Sequence, residues 1–298
     1  MSASITAFWQ TARFRISLAR PLVMGIVNVT PDSFSDGGHH ASAASALAHC
    51  ERLLAEGADV LDIGGESTRP GARSPSSDEE IARVLPVLQA AVGLGAPVSV
   101  DTSNPELMRA ALDLGVDIVN DVRALQRPGA LACVARHPAA GVCLMHMRGE
   151  PEDMQSRADY VDVVAEVAAF LAQRLSEVAA AGIAVERVVL DPGIGFAKRN
   201  QHNLALLQRQ AELCRLLSRP LLLGWSRKGT LGRITGRQVG ERLAASVAAA
   251  LAAIHHGAAI VRVHDVAATV DALKVWQSAT APPVRGEHDG ANSPDRRP

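Results

Sequence analysis

The segment APVSVDTSNPELMRAALDLGVDIVNDV (96–122) shows the unit from which this chain is built. An apolar run over 96–102 predicts a strand, and Pro105 stands near the start of the helical pattern that follows. A second apolar run over 116–122 predicts another strand. Both runs are mostly apolar, and each has polar residues at its carboxyl end. This pattern is typical of strands buried on both faces of a parallel sheet. The segment therefore predicts a β-α-β unit.

The same alternation recurs along the whole chain. Apolar runs predict eight strands, over residues 22–29, 58–65, 96–102, 116–122, 139–147, 186–196, 219–229 and 258–265. The clearest helical patterns between and after them cover residues 42–57, 78–92, 128–136, 159–181, 201–217, 240–256 and 266–278. Eight such units joined by right-handed crossovers predict an α/β fold, the TIM (β/α)8 barrel. An open doubly wound sheet is the alternative that the pattern leaves.

The composition agrees with one barrel domain followed by a tail. Of the 298 residues, 48% are hydrophobic, which supports a large buried core. We expect residues 1–279 to form the barrel domain, in which a strand or hairpin within residues 1–20 covers the barrel bottom. The polar, Pro- and Gly-rich residues 280–298 predict a disordered tail.

Charge and cysteine usage limit the classes of partner. The net charge is −1 and only 3% of residues are aromatic, which argues against a broad nucleic-acid surface. The four cysteines are scattered without a CxxC motif, and no secretory signal is visible, so we expect a cytoplasmic protein. The uncharged stretch 243–261 is interpreted as a helix, a turn and a strand rather than a membrane span. Small molecules are therefore the expected partners.

Polar side chains follow the predicted strands at their carboxyl ends. In a TIM barrel these ends converge on one rim, where active sites are found. The residues concerned are Asn28, Asp62, Asp101, Asn120, Asp121, His146, Arg148, Asp191, Ser226, Arg227, Lys228, Arg262 and His264.

The residue types on this rim suggest two kinds of binding. Asp101, Asn120 and Asp191 offer acceptors that suit the amino and ring N–H donors of a flat heterocycle. A purely structural role, in which a residue ties neighbouring strands together, is the alternative for each. Arg262 and His264 precede the last predicted helix, and cations beside a helix N-terminus predict an anion site.

Three further residues fit a phosphorylated or acidic substrate. Asn28 could supply an oxygen to a Mg²⁺ ion that carries phosphates. Lys228 is a hydrogen-bond donor on the same rim, with a solvated loop lysine as the alternative. Arg69 lies in the long irregular loop 67–77, and loops of this kind often act as lids.

Eight segments of the chain closely resemble the dihydropteroate synthase family, folate-pathway enzymes that sulfonamides inhibit. They lie in family order from residue 24 to 266 and so cover the barrel. The segments are MGIVNVTPDSFSDGG (24–38), DIGGESTRPGA (62–72), VSVDTSNPE (98–106), IVNDV (118–122), CLMHMRG (143–149), LDPGIGF (190–196), SRK (226–228) and RVHDV (262–266).

The resemblance implies a Mg²⁺-dependent transferase that forms a homodimer. It implies condensation of 6-hydroxymethyl-7,8-dihydropterin pyrophosphate with 4-aminobenzoate, giving 7,8-dihydropteroate and pyrophosphate by an SN1-like route. The implied pterin residues are Asp101, Asn120, Asp191, Lys228 and Arg262, with Arg262 stacked on the ring. The implied pyrophosphate residues are Asn28, Arg262 and His264, with Asn28 also a metal ligand. The residues implied to shape the 4-aminobenzoate site are Thr68, Arg69, Phe196 and Ser226. The residues implied to be catalytic are Asn28, Asp101, Lys228 and Arg262.

Two alternatives to this function stay open. A methyltetrahydrofolate:corrinoid methyltransferase would share the pterin carboxylates, but it would not need Lys228, Arg262 and His264 together. A non-catalytic pterin-binding paralogue should have lost charges at the rim, and none of the expected charges is missing. Ile194 and Trp225 depart from the residues common in the family, which leaves sulfonamide sensitivity open.

Overall fold

The computed structural model describes residues 8–29, 38–67 and 74–280, and its central feature is a parallel barrel. A two-stranded hairpin comes first, with β1 over Phe8–Gln10 and β2 over Arg15–Ser17. The barrel strands follow as β3 (Leu22–Asn28), β4 (Val60–Gly64), β5 (Val98–Asp101), β6 (Ile118–Asp121), β7 (Gly141–Met145), β8 (Val188–Asp191), β9 (Leu222–Leu223) and β10 (Ile260–Val263).

The sheet order confirms the barrel and excludes the open doubly wound sheet. Seven of the strand pairings are parallel, in the order β8-β7-β6-β5-β4-β3-β10-β9. The two strands at the ends of this order meet through a parallel bridge between Leu190 and Leu221, which brings β8 beside β9. Because all barrel strands run in the same direction, their carboxyl ends lie on one rim.

Helices surround the barrel and cover its outer face. They are α1 (Gly38–Ala55), α2 (Ser77–Ala91), α3 (Pro105–Asp113), α4 (Ala130–Arg136), α5 (Val163–Ala180), α6 (Asn200–Gln208), α7 (Gln210–Leu217), α8 (Gly229–Thr235), α9 (Leu243–His255) and α10 (Val266–Thr280). Among the described residues, no helix is both long and apolar enough to cross a membrane.

Several helices differ from the sequence prediction. The single helix predicted over 201–217 is two helices, which meet at Arg209. Helix α1 begins four residues before the predicted start at 42, and α8 was not predicted. By contrast, α3 begins as its sequence suggests: Asn104 caps it by accepting from the Glu106 N–H, and Pro105 occupies the first turn.

The N-terminal hairpin covers the bottom of the barrel, as predicted. Trp9 is fully buried and packs against the first residues of several strands, among them Leu22, Val60 and Ile118. Its indole N–H donates to the carbonyl of Arg187 at 2.8 Å. This plug closes the end of the barrel opposite to the rim where the polar side chains lie.

Candidate active site

A cleft of about 750 Å³ lies at the carboxyl-terminal rim of the barrel. It brings together side chains that come from different strands and are far apart in the chain. The predicted site residues that line it are Asn28, Asp101, Asn120, Asp191, Phe196, Ser226, Lys228, Arg262 and His264. Thr68 and Arg69 lie outside the described residues, as does the predicted tail beyond residue 280.

Not every polar strand end faces this cleft. His146 is buried behind the wall, where its ring packs edge-on against Phe170 at 4.9 Å between centroids. Arg148 pairs with Glu166 at 2.5 Å and lies over the ring of Tyr160. Neither residue lines the cleft, so the polar residues after β7 belong to the rim but not to this site.

Arg262 lies between two carboxylates at the centre of the rim. Its Nε donates to Asp62 Oδ2 at 2.5 Å, and its Nη2 donates to Asp101 Oδ2 at 2.7 Å. Burial raises the pKa of Asp101 to about 7; Arg262 opposes this shift, whereas the neighbouring Asp62 adds to it. The guanidinium is therefore held in place before any substrate arrives.

Asp62 is a site residue to which the sequence assigned no role. Its side chain is fully buried, and its Oδ2 also accepts from Asn120 Nδ2 at 3.0 Å. Its Oδ1 has no hydrogen-bond partner among the described residues. One carboxylate oxygen thus orients both the guanidinium of Arg262 and the amide of Asn120. The sequence showed that Asp62 ends a strand, but not which side chains it would meet.

Asp191 and Lys228 form the second charged part of the cleft. Burial raises the pKa of Asp191 to about 6. The Gly193 N–H, which donates to Asp191 Oδ1 at 2.7 Å, lowers this pKa and so opposes the effect of burial. Burial also lowers the pKa of Lys228 to about 8, although Asp191 opposes this. The Lys228 ammonium lies 4.2 Å from the centroid of the Phe196 ring, within cation–π distance. The Asp191 carboxylate, the Lys228 ammonium and the Phe196 ring therefore lie on one wall of the cleft.

The loop after β8 is fixed by Lys198, a residue that lines the cleft and that the sequence analysis did not identify. Its buried ammonium lies 2.8 Å from His146 Nδ1 and donates to the carbonyl of Phe196 at 3.0 Å. Gly193 allows the loop to approach this closely: its φ is +71°, and a Cβ there would lie 2.0 Å from the His146 carbonyl oxygen. The position of Phe196 therefore depends on Lys198 and on its contact with His146, which does not line the cleft.

Ser226 and His264 face the cleft as a hydrogen-bonded pair. Ser226 Oγ lies 2.9 Å from His264 Nδ1 and accepts the backbone N–H of His264 at 3.2 Å. Burial lowers the pKa of His264 to about 3, and Arg227 and Arg262 act in the same direction. The imidazole is therefore neutral at physiological pH.

Residues 24–264 match the family model of pterin binding enzymes. The dihydropteroate synthase of Neisseria meningitidis serogroup B is 55% identical over 275 residues, covering 91% of this chain and 96% of that relative. The Xanthomonas albilineans dihydropteroate synthase with 4-aminobenzoic acid has a TM-score of 0.85 and 52% identity, covering 90% of this chain and 96% of that one. The same enzyme in complex with 7,8-dihydropteroate has a TM-score of 0.83 and 49% identity, covering 91% and 98%.

A parallel barrel whose rim joins carboxylates to cations is thus the scaffold of a pterin-binding enzyme. The chain belongs to that family, and within it to the dihydropteroate synthases, which are transferases.

Proposed function

We propose that this protein condenses 6-hydroxymethyl-7,8-dihydropterin pyrophosphate with 4-aminobenzoate, releasing pyrophosphate and 7,8-dihydropteroate. The observation that carries the proposal is the cleft itself, in which Asp101 and Asp191 lie in one cavity with Lys228 and Arg262. The carboxylates and Asn120 suit the edge of a pterin, and the cations suit a diphosphate leaving group.

The proposed reaction exchanges one bond for another at the pterin methylene carbon. The C–O bond to the diphosphate breaks, and its electron pair leaves with the diphosphate. Arg262 and a neutral, donating His264 stabilise the negative charge that develops there, while Asp101 and Asp191 stabilise the electron-poor pterin. The neutral arylamine then forms the C–N bond, and the proton that it loses passes to the solvent. Its low basicity removes the need for a strong general base.

Mg²⁺ is the proposed cofactor, and the donor set fits a weakly chelated ion. The described residues contain no group of three His, Cys, Asp or Glu side chains able to hold a metal. Mg²⁺ commonly takes one or two protein oxygens and completes its shell with water and substrate phosphates. The amide oxygen of Asn28, at the end of β3 on the cleft wall, would be such a ligand. When bound, the ion would neutralise charge on the diphosphate.

The proposed assembly is a homodimer in the cytoplasm. Leu243 on α9 and Val275 on α10 expose 47% and 69% of their surface, and these two helices pack side by side. A second copy of the chain would cover these apolar side chains. All four cysteines are free thiols, which agrees with a reducing compartment. Light scattering coupled to size-exclusion chromatography would measure the proposed dimer mass.

A turnover assay tests the proposed reaction. Purified protein, Mg²⁺ and the pterin pyrophosphate are incubated with and without 4-aminobenzoate, and pyrophosphate release is measured together with the mass of the product. Release that depends on 4-aminobenzoate and yields 7,8-dihydropteroate supports the synthase. Tight pterin binding without turnover supports a non-catalytic paralogue. Methyl transfer from methyltetrahydrofolate to a corrinoid, without synthase turnover, supports the methyltransferase.

A further inference from the structure

The hydrogen bonds between Ser226 and His264 favour one arrangement of their hydrogens. The His264 backbone N–H donates to Ser226 Oγ at 3.2 Å, so the serine oxygen already acts as an acceptor. The same oxygen lies 2.9 Å from His264 Nδ1. A hydroxyl has one hydrogen to donate, and that hydrogen is free to point at Nδ1.

The other tautomer of His264 would remove the hydrogen-bond acceptor that the protein offers to the Ser226 hydroxyl. If Nδ1 carried the hydrogen, Ser226 Oγ would accept twice, and its own hydrogen would need another acceptor. Within residues 8–29, 38–67 and 74–280, His264 Nδ1 is the one protein acceptor within hydrogen-bond distance of this hydroxyl, so its hydrogen would have to turn to solvent in the cleft. A neutral imidazole whose Nδ1 accepts carries its hydrogen on Nε2. The serine thus selects the tautomer in which Nε2 is a donor.

His264 lies at the predicted anion site, where an Nε2–H donor is of use. It lines the active-site cleft and also a neighbouring cavity of about 800 Å³ beside the first residues of α10. Asn28 and Arg227 line both cavities as well. A neutral ring that donates through Nε2 can bind a diphosphate oxygen without adding another positive charge beside Arg262.

We propose that Ser226 is a positioning residue that holds His264 as the Nε2–H tautomer, so that the imidazole donates to the diphosphate of the substrate. The inference deepens the proposed function and rests on it for the identity of the diphosphate. It gives Ser226 a task separate from the 4-aminobenzoate contact that the family resemblance implies. The two tasks differ in one measurable respect, because only the tautomer role affects diphosphate binding when no 4-aminobenzoate is present.

The binding test uses inorganic pyrophosphate as the probe, with Mg²⁺ at constant concentration and neither organic substrate present. Calorimetry compares the wild type with Ser226→Ala, Ser226→Thr, His264→Ala and the double variant Ser226→Ala/His264→Ala. We expect Ser226→Ala to weaken pyrophosphate binding about 2- to 10-fold, because the apparent affinity falls with the fraction of the ring that keeps the competent tautomer and orientation. Ser226→Thr retains the hydroxyl and should restore most of the affinity. The double variant should bind no more weakly than His264→Ala alone.

Nuclear magnetic resonance supplies a readout that does not depend on activity. In protein labelled with ¹⁵N-histidine, the signals absent from the His264→Ala spectrum identify this ring. The wild type should show the shift pattern of a single Nε2–H tautomer, and Ser226→Ala should show an average of both tautomers. Ser99→Ala removes a buried barrel hydroxyl that does not line the cleft and should change neither the tautomer nor pyrophosphate binding.

Several results would overturn the inference. An Nδ1–H tautomer in the wild type would do so, as would a wild type that does not bind pyrophosphate. If Ser226→Ala leaves the pyrophosphate affinity unchanged, Ser226 does not act through His264. The same conclusion follows if the affinity losses of the two single variants simply add in the double variant. A wild type that shows the tautomer and binds pyrophosphate, yet catalyses no condensation, would instead refute the proposed function and leave the positioning role standing.

Discussion

Replacing Asp62 by asparagine removes one negative charge from beneath the site and almost nothing else. The amide oxygen of the new side chain can still accept from Arg262 Nε and Asn120 Nδ2, as Asp62 Oδ2 does at 2.5 and 3.0 Å. The amide nitrogen takes the place of Oδ1, which has no partner among the described residues. Asp62→Asn therefore tests the charge that holds the Arg262 guanidinium, with little change in shape.

The expected loss follows from the kind of hydrogen bond that is changed. Hydrogen bonds that involve a charged group contribute roughly 1.5–3 kcal/mol; the ion-paired bond lies toward the upper end of this range, and the arginine–amide bond that replaces it, with one charge left, lies toward the lower end. The difference of about 1–1.5 kcal/mol corresponds to a decrease in kcat/KM of about 5- to 13-fold. The decrease should appear when the pterin pyrophosphate is varied at saturating 4-aminobenzoate, because the role of Arg262 concerns the pterin and its leaving group.

The same strand provides a matched control. Asp59, just before β4 at the barrel bottom, accepts from Arg20 Nη2 at 2.5 Å and from the Val23 N–H at 2.9 Å. Asp59→Asn makes the same chemical change in an arginine pair of the same length, but at the end far from the cleft. It should leave kcat/KM unchanged. If Asp62→Asn stays within twofold of the wild type, or loses no more than Asp59→Asn, then the proposed orienting role of Asp62 is wrong.

Three further perturbations follow from the same structure. The profile of kcat/KM for the pterin substrate against pH should be bell-shaped: activity falls below about 6–7 as Asp191 and Asp101 are protonated, and above about 8 as the Lys228 ammonium loses its proton. A flat profile between pH 5 and 9 would contradict this. Phe196→Ala should raise the KM for 4-aminobenzoate about 10-fold while the KM for the pterin changes little, which initial rates with each substrate varied would reveal. Trp9→Ala should lower the free energy of unfolding by about 3–5 kcal/mol in denaturant titrations, since it empties the barrel plug; the KM values should not change.

The barrel could be predicted because its signal repeats. Parallel strands buried on both faces appear as apolar runs, and each run ends in polar residues at the rim, as with Asp101 and Asp191. The break between α6 and α7 could not be predicted, since neither Pro nor Gly marks Arg209. The two-residue strand β9 is equally hidden, because pairing with its neighbours rather than local periodicity sets its length.

The sequence predicted which residues form the site, but not the contacts that hold them in place. Sequence position placed Arg262 and Ser226 on the rim, yet the partners that fix them come from elsewhere in the chain. The role of Asp62 depends on barrel closure, which brings β4 within reach of β10 across 200 residues of sequence. Lys198 resembles an ordinary loop lysine until the fold places it against His146. Such contacts are properties of the three-dimensional arrangement, and no local pattern records them.

A crystal structure of the protein with bound 7,8-dihydropteroate tests the central claim most directly. We predict that the pterin ring lies in the 750 Å³ cleft, with its edge on Asp101, Asn120 and Asp191, and that the aminobenzoyl group extends toward Phe196 and Ser226. A pterin ring bound in the 800 Å³ cavity beside α10, or anywhere else that leaves these carboxylates without contact, would contradict it.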